Sequence, residues 1–218
     1  MKESAGTVFS VAKDNQPVAG CTISKAIYDD NGYYITHFSL AENTSISAER
    51  YEYHKLMIVA DGDAEIFTDK EDLAFISKGE MLLLPTDTPV GVRTDKGCVY
   101  TEIGLRKDTV MNNVIKDGNV FAMKDLLPYQ EGKIVNMDIV SNEKMKFVIM
   151  GFDEGTGLAE HAAPGEALIF ALDGEGIIGY EGKETAIKAG ENFKFAKYGK
   201  HYVKANGKFK MALLLTLD

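Results

Sequence analysis

The stretch GTGLAEHAAPGEALIFALDGEG at 155–176, followed by GENFKFAKYGKHYVKAN at 190–206, decides the fold. Its centre, EALIFAL, is a short apolar run closed on both sides by glycine-rich turns, which is the pattern of a buried strand. Alternation along that strand puts Ala167, Ile169 and Ala171 on one face and Glu166, Leu168 and Phe170 on the other. Working outward, the same order of signals stands earlier in the chain. Gly6, Val8 and Phe9 align with Gly118, Val120 and Phe121, and Gly20 and Ile27 with Gly132 and Ile139, all at a shift of 112. That shift also carries Glu42 and Thr44 onto Glu154 and Thr156, and Leu56, Asp61, Gly62 and Ile66 onto Leu168, Asp173, Gly174 and Ile178. After one deletion, Gly79, Glu80 and Val92 meet Gly190, Glu191 and Val203 at a shift of 111. One unit is therefore written twice, and a polar residue found in only one copy is a candidate for chemistry rather than packing.

The repeat divides the 218 residues into 1–109 and 110–218, each long enough for its own core. Apolar residues make up 45% and charged residues 26%, an ordinary balance for a folded chain rather than a disordered one. The net charge is −9, and the excess sits in the first half, with 11 basic against 18 acidic residues, compared with 13 against 15 in the second. No basic stripe exists, so nucleic acid is not an expected partner. The longest apolar runs, LMIVA at 56–60 and MALLLTL at 211–217, are of strand length and too short to span a bilayer as a helix. With no signal peptide in MKESAGTVF, a soluble cytoplasmic protein without a membrane partner is expected. Cys21 and Cys98 are unpaired in spacing and read as two buried, reduced thiols.

Strand signals dominate elsewhere too: GYYITHFSL, HKLMIVA, AEIFT, MLLLP, KFVIMGF, GIIGY and KMALLLTL, separated by DDNG, DGD and YEGK turns. Short regular strands of this kind predict an all-β sandwich or barrel in each half. Helical turns are expected only near AKDN and MKDLLP, and the polar stretch 106–119 reads as the connection between halves. His37, alone in YYITHFSL, reads as a packed strand histidine. The run DGDAEIFTDKED at 61–72 lacks the glycine and closing glutamate of a calcium loop and reads as a solvated hairpin.

The opening stretch resembles the two signature motifs of the cupins: a glycine-led run with two histidines one residue apart, then a glutamate and a glycine, followed by a second run with one histidine. Anchored on Gly174 and Gly190, His161 falls on the first histidine, Ala163 on the second, Ala167 on the glutamate and His201 on the second-motif histidine. Ala196 stands at the second motif's proline. In the first copy Glu49, Tyr51, Lys55 and Val90 hold the four ligand positions, while Gly62, Gly79 and Pro85 remain. The resemblance implies two tandem double-stranded β-helix (cupin, jelly-roll) barrels: an N-terminal cupin domain, 1–109, with its metal ligands lost, and a C-terminal one, 110–218, with a partial motif. It also implies lobes packed about a pseudo-two-fold, as a monomer or homodimer, with the VF elements at 8–9 and 120–121 reaching across to the other lobe.

Two function classes follow. In one, the C-terminal barrel binds a small polar organic molecule, with His161 and His201 as polar anchors and Ile169, Phe193, Phe195 and Val203 as apolar lining. In the other, His161 and His201 hold a divalent transition metal (Fe, Mn, Ni or Zn), in the C-terminal barrel only, as in a metal-dependent isomerase or dioxygenase. Glu166 completes that metal site only by turning inward against strand alternation. The first barrel is expected to be structural or to bind something without metal.

Overall fold

The structure is a computed structural model and describes residues 1–217. The first half forms β1 (Val8–Phe9), helix α1 (Val11–Asp14), β2 (Thr22–Asp30), β3 (Tyr33–Leu40), β4 (Thr44–Glu49), β5 (His54–Phe67), β6 (Asp72–Ser77), β7 (Glu80–Leu84), β8 (Val90–Thr94) and β9 (Cys98–Leu105). The second repeats the order with β10 (Val120–Ala122), a 3₁₀ turn at Met123–Asp125, β11 (Ile134–Ser141), β12 (Met145–Phe152), β13 (Gly157–Ala162), β14 (Glu166–Tyr180), β15 (Lys183–Lys188), β16 (Asn192–Phe195) and β17 (Lys200–Thr216). The long β17 does the work of β8 and β9 together. All strand pairs are antiparallel apart from an isolated bridge at Leu83 and Asp117, and each half curls into a double-stranded β-helix barrel.

Curling requires single strands to serve two layers, and the repeated Asp-Gly pairs are where they bend. The register of β5 against β9 shifts between Val59 and Asp61, and that of β14 against β17 shifts on both sides of Gly174. Gly62 and Gly174 have φ of +74° and +70°, and a methyl group there would lie 2.1 Å from the Gly97 carbonyl oxygen and 1.9 Å from that of Lys208. Only glycine fits a left-handed bulge with another backbone against it, which is why both copies keep it.

The two halves exchange edges. β1 pairs with β16, Val8 opposite Phe193, and β10 pairs with β7, Val120 opposite Leu82. The VF elements thus cap the sheet of the other half. The Val11 N–H donates to Asn192 Oδ1 at 3.0 Å, fastening the turn after β1 to the second barrel. The 106–119 connection touches both halves through bridges at Met111 to Val140 and Leu83 to Asp117.

Three apolar layers result. Met57, Val59, Ile66, Leu82 and Tyr100 fill the first barrel, and Ile169, Ile178, Phe193, Phe195 and Phe209 the second. Between them lies a shared layer to which repeat-related pairs contribute: Ile27 with Ile139, Ile35 with Phe147, Leu56 with Leu168, and Ile58 with Phe170. Matching residues from both copies in one layer are the mark of a pseudo-two-fold contact. Leu168 and Phe170, outward by alternation, therefore face the neighbouring barrel rather than water, and each such buried side chain contributes roughly 1.5–3 kcal/mol. One cysteine departs from expectation: Cys98 is buried, but Cys21, in the turn before β2, is exposed. Among the described residues, no helix is long and apolar enough to cross a membrane.

Candidate functional site

His161 on β13 and His201 on β17 are direct cross-strand partners. The register between these strands slips between Leu158 and His161, which sets His161 opposite His201. Their ring centroids are 4.3 Å apart at an interplanar angle of 55°. Each Nδ1 faces the carbonyl oxygen two residues back, Ala159 for His161 at 2.9 Å and Gly199 for His201 at 2.8 Å. A carbonyl only accepts, so both Nδ1 atoms carry the proton and donate. In the neutral rings both Nε2 atoms therefore hold a free lone pair.

The two environments differ. His161 is exposed, whereas His201 is buried and stacks on Phe195 with centroids 3.9 Å apart at 19°. Burial holds the His201 imidazole below its ordinary value; the Gly199 carbonyl pulls it back up and the neighbouring His161 pushes it further down. Beneath His201 an aromatic floor continues from Phe195 to Phe193 at 5.2 Å and to Tyr180 at 5.6 Å. Ile169, Phe193, Phe195 and Val203 are all fully buried in the interior below the histidines. Sequence reasoning missed Tyr180, which sits opposite His201 across β14 and β17.

Glu166 does not join the histidines. It lies on the other face of β14, where its carboxylate pairs with Lys194 at 2.6 Å and with the Met1 amine. Burial pushes the Glu166 carboxyl up, but these two cations outweigh it and hold it below its ordinary value. Glu166 therefore does not turn inward to complete a metal site with the histidines, because the period-two geometry of the strand keeps it on the opposite face. Among the described residues, no group of three or more His, Cys, Asp or Glu side chains could hold a metal ion. With alanine at 163 and 167, the donor set does not fit the three-imidazole, one-carboxylate site that the cupin resemblance implies.

The equivalent place in the first barrel holds a different cluster, which sequence reasoning had left as empty ligand positions. Lys55 and Glu102 are buried and lie 3.2 Å apart, and the Lys55 ammonium sits 3.3 Å from the centre of the Tyr51 ring. The Tyr34 hydroxyl donates to Glu102 at 2.6 Å, and the Tyr51 hydroxyl donates to Glu49. The signal was present: Lys55 interrupts HKLMIVA and Glu102 interrupts CVYTEIGL, and a charge inside a buried strand needs a partner.

Comparison with known proteins agrees with this architecture. Residues 148–217 match the family described as "Cupin domain". No curated protein matches the sequence. Among solved structures, a Cupin 2 conserved barrel domain protein from Leptotrichia buccalis is 28% identical, covering 99% of this chain and 98% of its own, with a TM-score of 0.87. Salicylate 1,2-dioxygenase from Pseudoaminobacter salicylatoxidans, solved as an adduct with gentisate, is 11% identical over 88% of this chain and 73% of its own, with a TM-score of 0.62. A putative glyoxylate-induced protein from Pseudomonas aeruginosa is 15% identical over 90% and 80%, with a TM-score of 0.61. Residues 148–217 thus match the cupin domain, and the chain as a whole has the barrel fold of the cupin superfamily.

Proposed function

We propose that this chain is a bicupin, with domains at 1–109 and 110–218, that binds a small polar organic molecule at the mouth of its C-terminal barrel. The observation that carries this reading is the paired orientation of His161 and His201, both with Nδ1 committed to a backbone carbonyl. Two neutral imidazoles fixed in this way offer two adjacent acceptors, which suit a ligand with hydroxyl or amine donors. Because Phe193 and Phe195 fill the barrel below, the ligand rests on the Phe195 and Tyr180 floor, and apolar contact there adds to the hydrogen bonds. The likeness to a dioxygenase supports the fold, while two alanines at the ligand positions favour binding over metal-assisted turnover.

Saturation-transfer NMR against a library of hydroxy acids and amino acids tests the reading. Binders should be lost in the His161→Ala, His201→Ala double variant while its thermal midpoint stays close to that of the parent. Binders that survive in the double variant would place the site elsewhere. So would a double variant that unfolds while its folded fraction keeps its affinity, because the histidines would then be core residues.

A further inference from the structure

The repeat supplies an internal control for the first barrel. At the positions of Lys55, Tyr100 and Glu102 the second copy carries Ala167, Met211 and Leu213, and it closes an equivalent barrel with them. A buried ammonium–carboxylate pair is therefore not needed to form the fold, and burying one is costly against an apolar pair of similar volume. The second difference is in size. Phe193 and Phe195 fill the second barrel, whereas Leu82 and Leu84 stand in their places in the first. A cavity of about 90 Å³ lies there, lined by Leu84 and Val90 and by the polar side chains of Lys55, Glu102, Tyr51 and Tyr53. A water occupies about 30 Å³ in the liquid, so this volume suits a small organic molecule.

We propose that the first barrel is a second, independent ligand site, built for a small, uncharged, hydroxylated organic molecule. The Lys55–Glu102 pair is neutral as a unit and presents a donor and an acceptor 3.2 Å apart. A hydroxyl group accepts from the ammonium and donates to the carboxylate at once, and vicinal hydroxyls do so with two oxygens. Both Tyr34 and Lys55 contact Glu102 through Oε1, which leaves Oε2 without a hydrogen bond from the described residues. An anion in the cavity would meet the Glu102 carboxylate, with Glu49 close by on the Tyr51 hydroxyl. A cation would have to displace Lys55 from the Tyr51 face that it already occupies. The apolar wall around Val90 takes the carbon skeleton. This site lies in the other barrel from the histidine pair and goes beyond the function proposed above.

Methyl NMR of the full chain, labelled at Ile, Leu and Val, provides the test. Ethylene glycol and glycerol are the uncharged probes, with acetate and tetramethylammonium as charged controls. Ethylene glycol or glycerol should move the Leu84, Val90 and Val92 methyl signals saturably, while acetate and tetramethylammonium leave them in place. Leu84→Phe inserts the residue that the second copy carries at the same position, and it should weaken binding at least about tenfold without loss of fold. Lys55→Met should abolish it. The His161→Ala, His201→Ala double variant should leave this titration unchanged, so failure here and failure of the C-terminal site are told apart. Shifts produced only by a charged probe, no shift with any probe, or full affinity in folded Leu84→Phe would each overturn the proposal.

Discussion

Acid should destabilise this protein through His37 before most of its carboxylates titrate. His37 lies on β3, facing the layer between the barrels, with Nδ1 2.9 Å from Thr101 Oγ1 and a buried Nε2 that has no hydrogen-bond partner. Burial drives its pKa down to about 4; Glu3, 3.8 Å from Nε2, pulls it back up, and Lys25 lowers it further. The unfolded chain has the ordinary value of about 6.5, so between these two values it binds a proton that the folded chain refuses. Stability is therefore full above pH 6.5 and falls as the pH drops towards 4. A depression of about 2.5 units at about 1.36 kcal/mol each amounts to about 3 kcal/mol. Urea denaturation across that range, for the parent and for His37→Gln, isolates the effect, since the carboxylates are common to both. The difference in unfolding free energy between the two should change by about 3 kcal/mol from neutral pH to pH 4, in the sense that the parent loses more. Parallel loss in parent and variant would refute the account of a neutral, buried His37.

Other perturbations have defined outcomes. Gly174→Ala forces a side chain into a left-handed bulge against the Lys208 carbonyl, and it should cost roughly 2–4 kcal/mol by chemical denaturation; a neutral substitution would contradict the bend. Lys55→Ala or Glu102→Leu alone should cost about 3–5 kcal/mol by leaving a buried charge unpaired, whereas the double variant, which copies Ala167 and Leu213, should be neutral or stabilised. A double variant as unstable as the singles would mean that the pair serves the fold. Removing residues 1–9 strips β1 from β16, so amide exchange at Asn192–Phe195 should accelerate while that of β9 stays slow. Uniform acceleration would argue against local edge exchange.

The barrels were legible because glycines and strand periods recur at a constant shift, and a recurrence such as Gly62 and Gly174 encodes backbone geometry that no other residue can supply. The edge exchange of the VF elements followed from the pseudo-two-fold packing that the cupin resemblance implies, and β1 and β10 do pair with the other half. The two faces of β14 were legible as well, and they separate Glu166 from the histidines. What lies beyond each face was not: Leu168 and Phe170 look outward in the sequence, and only the tertiary arrangement shows that outward means the other barrel. The pairing of His161 with His201 could be expected from motif spacing, but the shared Nδ1 commitment could not, because it depends on how each ring turns towards the carbonyl two residues back, Ala159 or Gly199. The Lys55–Glu102 pair escaped because its members stand 47 positions apart and meet only when β5 and β9 align.

The central claim is that two imidazoles, each with Nδ1 committed to a backbone carbonyl, present their Nε2 atoms to an organic ligand. A long-range proton–nitrogen-15 NMR spectrum of the side chains in metal-free buffer reads those atoms directly. In the free protein at slightly alkaline pH, both His161 and His201 should show a protonated Nδ1 and a bare Nε2. Addition of a binder from the polar library should move both Nε2 signals together with one saturation curve. Nε2 signals that stay fixed at ligand saturation, and move only when a transition metal is added, would contradict the account.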